Sequence, residues 1–137
     1  MLAATSGAIH HVGAVGSAAA MKLAVNAQYG VQVAIWAEML ALQGRQEIAP
    51  ESAVEILNTL PTTSPAMQIA GKLMAAKKYD PMFPIELVEK DFSYALKLAE
   101  DLRIKTPTLE AVRSVYAQAK AQGHGGDNIV GVARLFG

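Results

Sequence analysis

Lys22 and Asn26 are the residues whose types and spacing most readily do chemistry. Four apart in a stretch rich in helix formers, they share one helix face, one turn from each other. A lysine ammonium can exchange protons. A carboxamide beside it can hydrogen-bond a ligand or hold the lysine. The surroundings are mostly apolar, and partial burial would strip the ammonium of hydration and ready it for proton exchange. The ordinary alternative is a lysine near a helix start that snorkels to water along its own stem. Asn26 one turn on, and Gly16 as a point of close approach, weigh against it.

Lys90-Asp91 is a second polar pair. Composition alone favours a solvated helix face there, because Glu86, Glu89, Lys97, Glu100 and Asp101 lie on the same predicted helix. Phe83 sits in a proline-punctuated loop, Lys77 to Pro84, where it reads more readily as a core plug than as a ligand contact. His10, His11 and His124 lack a carboxylate or third histidine at ligand spacing, so no metal site is expected. The chain has no cysteine, which excludes disulfides, thiolate catalysis and Cys-type zinc sites. Gly123-His124-Gly125-Gly126 lacks the lysine and Ser/Thr of a phosphate loop, and no strand precedes it. Ser64 and Ser93 have no identifiable base.

The element that must position Lys22 and Asn26 runs from Gly16-Ser17 to Leu42, interrupted only by Gly30. Ser17 can serve as N-cap, and Gly44 as the left-handed stop. The result is a helix of about 26 residues, roughly 40 Å long. It is apolar nearly all round, so it is expected at the centre of the domain, with Val33 and Ile35 buried on most sides. Pro50 opens a second helix carrying Ala53, Ile56, Leu57 and Leu60. Ser64-Pro65 opens a third, with Ile69, Leu73 and Met74 inside. A fourth spans about Ile85 to Leu102, with Val88, Phe92, Ala95, Leu96 and Ala99 on its core side. Thr106-Pro107 opens a fifth, with Leu109, Val112, Tyr116 and Ala119 inward, and Asp127 can cap a short last helix carrying Ile129, Val132, Ala133 and Phe136. No period-2 strand pattern of useful length occurs. The fold class is all-α: a helical bundle around one long central helix.

At 137 residues the chain is one domain of ordinary size, with residues 1–15 as a lead-in and 16–137 as the helical body. Twelve basic and twelve acidic residues balance, so neither a nucleic acid nor an anionic membrane surface is an expected partner. Lys22, Asn26, Gln28, Gln32 and Glu38 break the long helix as a membrane span, and the N-terminus lacks a signal-peptide pattern, so the expectation is a soluble, cytoplasmic protein. So apolar a long helix, with Ile129, Val132, Leu135 and Phe136 near the end, also points to self-association.

Ile9-His10-His11-Val12-Gly13, Gly16-Ser17-Ala18 and Lys22-Leu23-Ala24-Val25-Asn26 together resemble the start of the C-terminal domain of the β-hydroxyacid dehydrogenases. That family includes 3-hydroxyisobutyrate dehydrogenase, tartronate semialdehyde reductase and glyoxylate/succinic semialdehyde reductase. Ala37-Glu38, Leu42, Ser64-Pro65, Pro81-Met82-Phe83-Pro84, Lys90-Asp91, Pro107, Tyr116 and the glycine-rich turn before Asp127 follow in the family's order. The resemblance implies a fold like the C-terminal domain of 6-phosphogluconate dehydrogenase. By it, Lys22 matches the catalytic lysine, and Asn26 matches the asparagine that helps hold substrate. Lys90 matches the lysine that reaches the cofactor, and Phe83 and Asp91 match positions near the substrate pocket. The implied reaction is reversible hydride transfer between NAD or NADP and a small hydroxy acid or semialdehyde, in a homodimer or higher homo-oligomer. Two departures stand out. Ala18 replaces the second glycine of the usual Gly-Ser-Gly, and the 137 residues contain no glycine-rich dinucleotide fingerprint. The chain is thus expected to be the C-terminal part of an enzyme, inactive alone, whose cofactor is held mainly by an N-terminal domain. The alternative is a non-catalytic helical oligomerisation module of the same descent.

Overall fold

The computed structural model describes residues 10–137. Five α-helices follow one another: α1 (Ser17–Arg45), α2 (Pro50–Asn58), α3 (Pro65–Ala75), α4 (Ile85–Asp101) and α5 (Pro107–Ala119). A π-turn at Lys120–His124 extends α5, and a 3₁₀ segment, Ile129–Leu135, ends the chain. Among the described residues there is no strand, only an isolated bridge between Pro84 and Asn128. The all-α expectation holds. Most of the lead-in expected over residues 1–15, with Ile9 of the family-like motif, falls outside the described residues.

At 29 residues α1 is the longest element, and it touches α2, α3, α4, α5 and the 3₁₀ segment. Its inward side is built of small and branched residues: Gly30, Val33, Ala34, Ala37 and Leu40 are buried. Gly30 is required by close packing, since a Cβ there would stand 2.6 Å from the Phe92 ring. Its carbonyl accepts a 2.6 Å hydrogen bond from the buried Tyr116 hydroxyl. Burial, with Tyr29 nearby, pushes that hydroxyl well above its ordinary pKa and keeps it a donor. The Phe92 and Tyr116 rings lie 5.7 Å apart, so α1, α4 and α5 meet at one aromatic contact. A glycine at 71 serves the same end on α3, leaving room for Trp36 of α1.

The expectation that α1 is buried on most sides is only half met. Val33 is wholly buried, but Ile35 is 47% exposed, and Met21, Val25, Met39 and Leu42 share its outer side. The other helices all dock on the Gly30–Ala37 side, where small side chains permit close approach, and nothing among the described residues covers the reverse side. On α2 and α3 the inward residues are Ala53, Val54, Met67, Ala70, Gly71 and Met74, whereas Ile56 and Ile69 are exposed, as is Leu60 beyond the end of α2, contrary to the periodic reading.

The helix starts follow the prolines: Pro50, Pro65 and Pro107 each sit at a first helical position. Ser64 caps α3, accepting from the Met67 N–H at 3.3 Å. Ser17 does not cap α1. Gly16 occupies the cap position at φ 96°, a left-handed conformation that glycine adopts without strain. Gly44 is not the stop either. The helix runs on to Arg45, and Glu47 takes the left-handed position at φ 63°. The Ile48 N–H returns to the Gln43 carbonyl and the Glu47 N–H to that of Gly44, the paired bonds of a Schellman cap. The same motif ends α3 with Lys77 left-handed and α4 with Arg103 left-handed. At the last segment Asn128, not Asp127, is the cap; its Oδ1 accepts from the Ile129 N–H at 2.9 Å.

Candidate functional site

Lys22 and Asn26 point from the second and third turns of α1 into an open cleft of about 520 Å³. The first turns of α4 form the facing wall with Leu87, Lys90, Asp91 and Tyr94, and the loop before α4 supplies Met82 and Phe83. All five residues singled out in the sequence, Lys22, Asn26, Phe83, Lys90 and Asp91, therefore line one cleft. They come from three separate segments.

The cleft is tied across its floor. Asn26 Nδ2 donates to Asp91 Oδ2 at 2.7 Å, joining α1 to α4 over 65 positions of sequence. The bond is partly buried and charge-assisted, which makes it one of the stronger kind. It commits one amide hydrogen of Asn26 and leaves Oδ1 as an acceptor. Lys22 and Lys90 are exposed. The partial burial expected of the Lys22 ammonium is thus not provided by this chain's own packing. Lys90 Nζ stands 5.8 Å from the Tyr94 ring centroid. Two ammoniums against one carboxylate leave the cleft net positive.

The Phe83 loop is held from behind by the end of the chain. The Phe83 N–H donates to Asn128 Oδ1 at 3.2 Å, and its carbonyl accepts from the Ile129 N–H at 2.7 Å. The Asn128 N–H donates to the Tyr79 carbonyl at 3.0 Å. Asn128 is buried, and its side-chain oxygen thereby serves two backbone donors. Nothing local in the sequence marks its hold on the loop, because Phe83 lies 45 residues away.

Beneath Lys90 and Asp91, Glu89 anchors α4 to α5. Glu89 was expected on a solvated face, yet it is buried, with Arg113 Nη2 at 2.7 Å and Lys120 Nζ at 3.4 Å. Ser93 Oγ donates to Glu89 Oε1 at 3.1 Å and accepts from Arg113 Nε at 2.8 Å. Burial pushes the Glu89 carboxyl up, but the Ser93 and Arg113 hydrogen bonds, the Arg113 charge and Lys120 together outweigh it and hold it below its ordinary value of 4.5. Met82, Leu87 and Tyr94 are cleft residues that sequence reasoning missed. The signal for two of them was present: Leu87 and Tyr94 flank Lys90-Asp91 at helical spacing on α4.

Residues 16–136 match the family described as "NAD-binding of NADP-dependent 3-hydroxyisobutyrate dehydrogenase". Glyoxylate/succinic semialdehyde reductase 2, chloroplastic, of Arabidopsis thaliana is 34% identical over 82% of this chain, which covers 32% of that protein. The cytokine-like nuclear factor N-PAC of Aedes aegypti is 30% identical over 84% of this chain, covering 21% of that protein. Among solved structures, 3-hydroxyisobutyrate dehydrogenase from Salmonella typhimurium superimposes with a TM-score of 0.93 at 20% identity, over 98% of this chain and 48% of that one. The chain therefore spans from a fifth to about half the length of these proteins. Among the described residues no helix is long and apolar enough to cross a membrane.

Proposed function

The chain belongs to the β-hydroxyacid dehydrogenase family of NAD(P)-dependent oxidoreductases, and from that premise we propose that it is the helical domain that brings the proton-transferring lysine and the substrate-holding amide to a reaction completed with a dinucleotide-binding domain. The observation that carries this reading is the convergence of Lys22, Asn26, Phe83, Lys90 and Asp91 on one cleft, with Asn26 fixed by Asp91 at 2.7 Å.

In this reading the net positive cleft attracts a small hydroxy acid or semialdehyde acid, whose carboxylate is anionic at neutral pH. Asp91 holds the Asn26 amide so that Oδ1 can accept from a substrate hydroxyl or from the Lys22 ammonium. Lys22 Nζ gives its proton to the carbonyl oxygen in reduction and takes the hydroxyl proton in oxidation, and its charge stabilises the oxygen as negative charge builds there. Phe83 and Met82 close the apolar side of the cleft. The donor set suits a nicotinamide nucleotide as well: Lys90 leaves an exposed ammonium on the rim with no carboxylate bound to it. When bound, the nicotinamide, as NAD or NADP, supplies or accepts the hydride. Lys22 is solvent-exposed here, so its dehydration during turnover has to come from bound substrate and the closing second domain.

The test is Lys22→Ala in the full-length protein. Turnover should fall by at least ~10²–10⁴-fold, the loss of a general acid and a charge stabiliser together. Helical content and cofactor affinity should remain near those of the parent. Near-normal turnover would remove Lys22 from the role. The domain also serves, in this reading, as the surface through which copies associate, because its exposed face is apolar along α1.

A further inference from the structure

Lys90 has carboxylates for neighbours along α4, and none of them holds it. Glu86 stands one turn before it, at the spacing and in the order that favour a glutamate–lysine pair. Its side chain turns instead toward the segment after α5, with Oε2 3.7 Å from the place a Cβ on Gly125 would occupy. Glu89 is taken by Arg113 and Lys120, and Asp91 by Asn26. What the Lys90 ammonium does meet is the ring of Tyr94, one turn on, with Nζ 5.8 Å from its centroid. Tyr94 is 51% exposed and stands outside the hydrophobic core. The ring therefore contributes little to the packing of the fold.

We propose that Tyr94 is a positioning residue for Lys90: its ring holds the ammonium on the rim of the cleft, unneutralised, for the anionic part of a nicotinamide nucleotide. The proposal rests on the reading that Lys90 meets the cofactor, and adds what keeps it in place. Two demands conflict at such a lysine. Its long side chain must be ordered when an anion binds, and the lost rotamer freedom opposes binding. A carboxylate partner would order the side chain beforehand but cancel its charge. An aromatic face attracts the ammonium through the ring quadrupole and carries no net charge. It engages one side of the ammonium, whose three N–H donors are not all used there, so donors stay free for the ligand. Both side chains rise from α4 at i and i+4, so the ring restrains the lysine from the same rigid helix.

The test is a mutant cycle in the full-length protein: Lys90→Ala, Tyr94→Leu, the two together, and Tyr94→Phe. Calorimetric titration gives the dissociation constants for NADH and NADPH. Tyr94→Leu should weaken the tighter-bound of the two by roughly two- to fivefold, the range of an exposed cation–π contact. Tyr94→Phe keeps the ring and should bind as the parent does. Lys90→Ala should itself bind more weakly, and adding Tyr94→Leu to it should change nothing further, a result that a merely structural role for the ring would not give. Parental affinity in Tyr94→Leu, an equal loss with and without Lys90, or a Tyr94→Phe chain as impaired as Tyr94→Leu would each overturn the proposal while leaving Lys90 its cofactor role. A Lys90→Ala chain with parental affinity for both nucleotides would remove that role, and the proposal with it.

Discussion

Replacing Asp91 by alanine in the full-length protein should disable Asn26 first. The 2.7 Å bond from Asn26 Nδ2 is charge-assisted and partly buried, and Asp91 is the partner that holds the amide across the cleft. A hydrogen bond to a charged group contributes about 1.5–3 kcal/mol, and partial exposure places this one toward the lower end. Once released, the amide must be ordered by the substrate itself. Each ~1.4 kcal/mol is a factor of ten, so kcat/KM should fall by roughly ten- to thirtyfold. Because the amide holds substrate and Lys22 moves the proton, most of the loss should appear in KM. Asp91→Asn keeps an acceptor oxygen in place and should restore all but a few-fold of the loss. Steady-state kinetics of the two variants beside the parent, with thermal denaturation to show both are folded, decides it. An Asp91→Ala enzyme with parental kcat/KM, or an Asp91→Asn enzyme as impaired as Asp91→Ala, would refute the positioning argument.

Gly30→Ala should lower stability by about 1–3 kcal/mol, since its methyl would press on the Phe92 ring; thermal unfolding measures the shift. Glu47→Gly, Lys77→Gly and Arg103→Gly should each raise stability by about 0.5–1 kcal/mol, because each relieves a side chain held at positive φ; a lowered melting temperature would show that the side chain contributes more than the strain. Glu89 titrates lower in the folded chain than in the unfolded one, so the unfolded state binds more protons as pH falls. Its stabilisation is present above pH 4.5 and is lost as pH drops through the lowered folded value; Glu89→Gln should flatten that acid limb in denaturant titrations across pH.

Much of the helix plan was legible because it depends on local punctuation. Pro50, Pro65 and Pro107 mark the starts they were expected to mark, and Lys22 and Asn26 share a face because helical spacing puts them there. What was misread depends on distance. α1 is apolar all round, so its sequence contains no moment to say which side faces inward, and Ile35 was placed in the core when only the small-residue side could accept neighbours. Glu89 looked solvated because its neutralising partners, Arg113 and Lys120, lie on another helix and its extension. Asn128 was overlooked for Asp127 as a cap, although an amide that must satisfy both Ile129 and Phe83 serves better than a carboxylate drawn into contact with Arg134. The Asn26–Asp91 bond joins residues 65 apart, beyond the reach of any period.

The clasp of Asn128 and Ile129 on Tyr79 and Phe83 bears on the order in which the molecule can be made. Helices α1 to α4 leave the ribosome long before those two residues do. Until they emerge, the loop carrying one wall of the cleft lacks the partners of three backbone groups. A chain cut after Asp127 should therefore keep most of its helix but lose hydrogen-exchange protection at the Phe83 amide; retained protection there would disprove the clasp. The cleft is in this sense the last part of the domain to be finished, withheld from ligands until Asn128 and Ile129 have emerged.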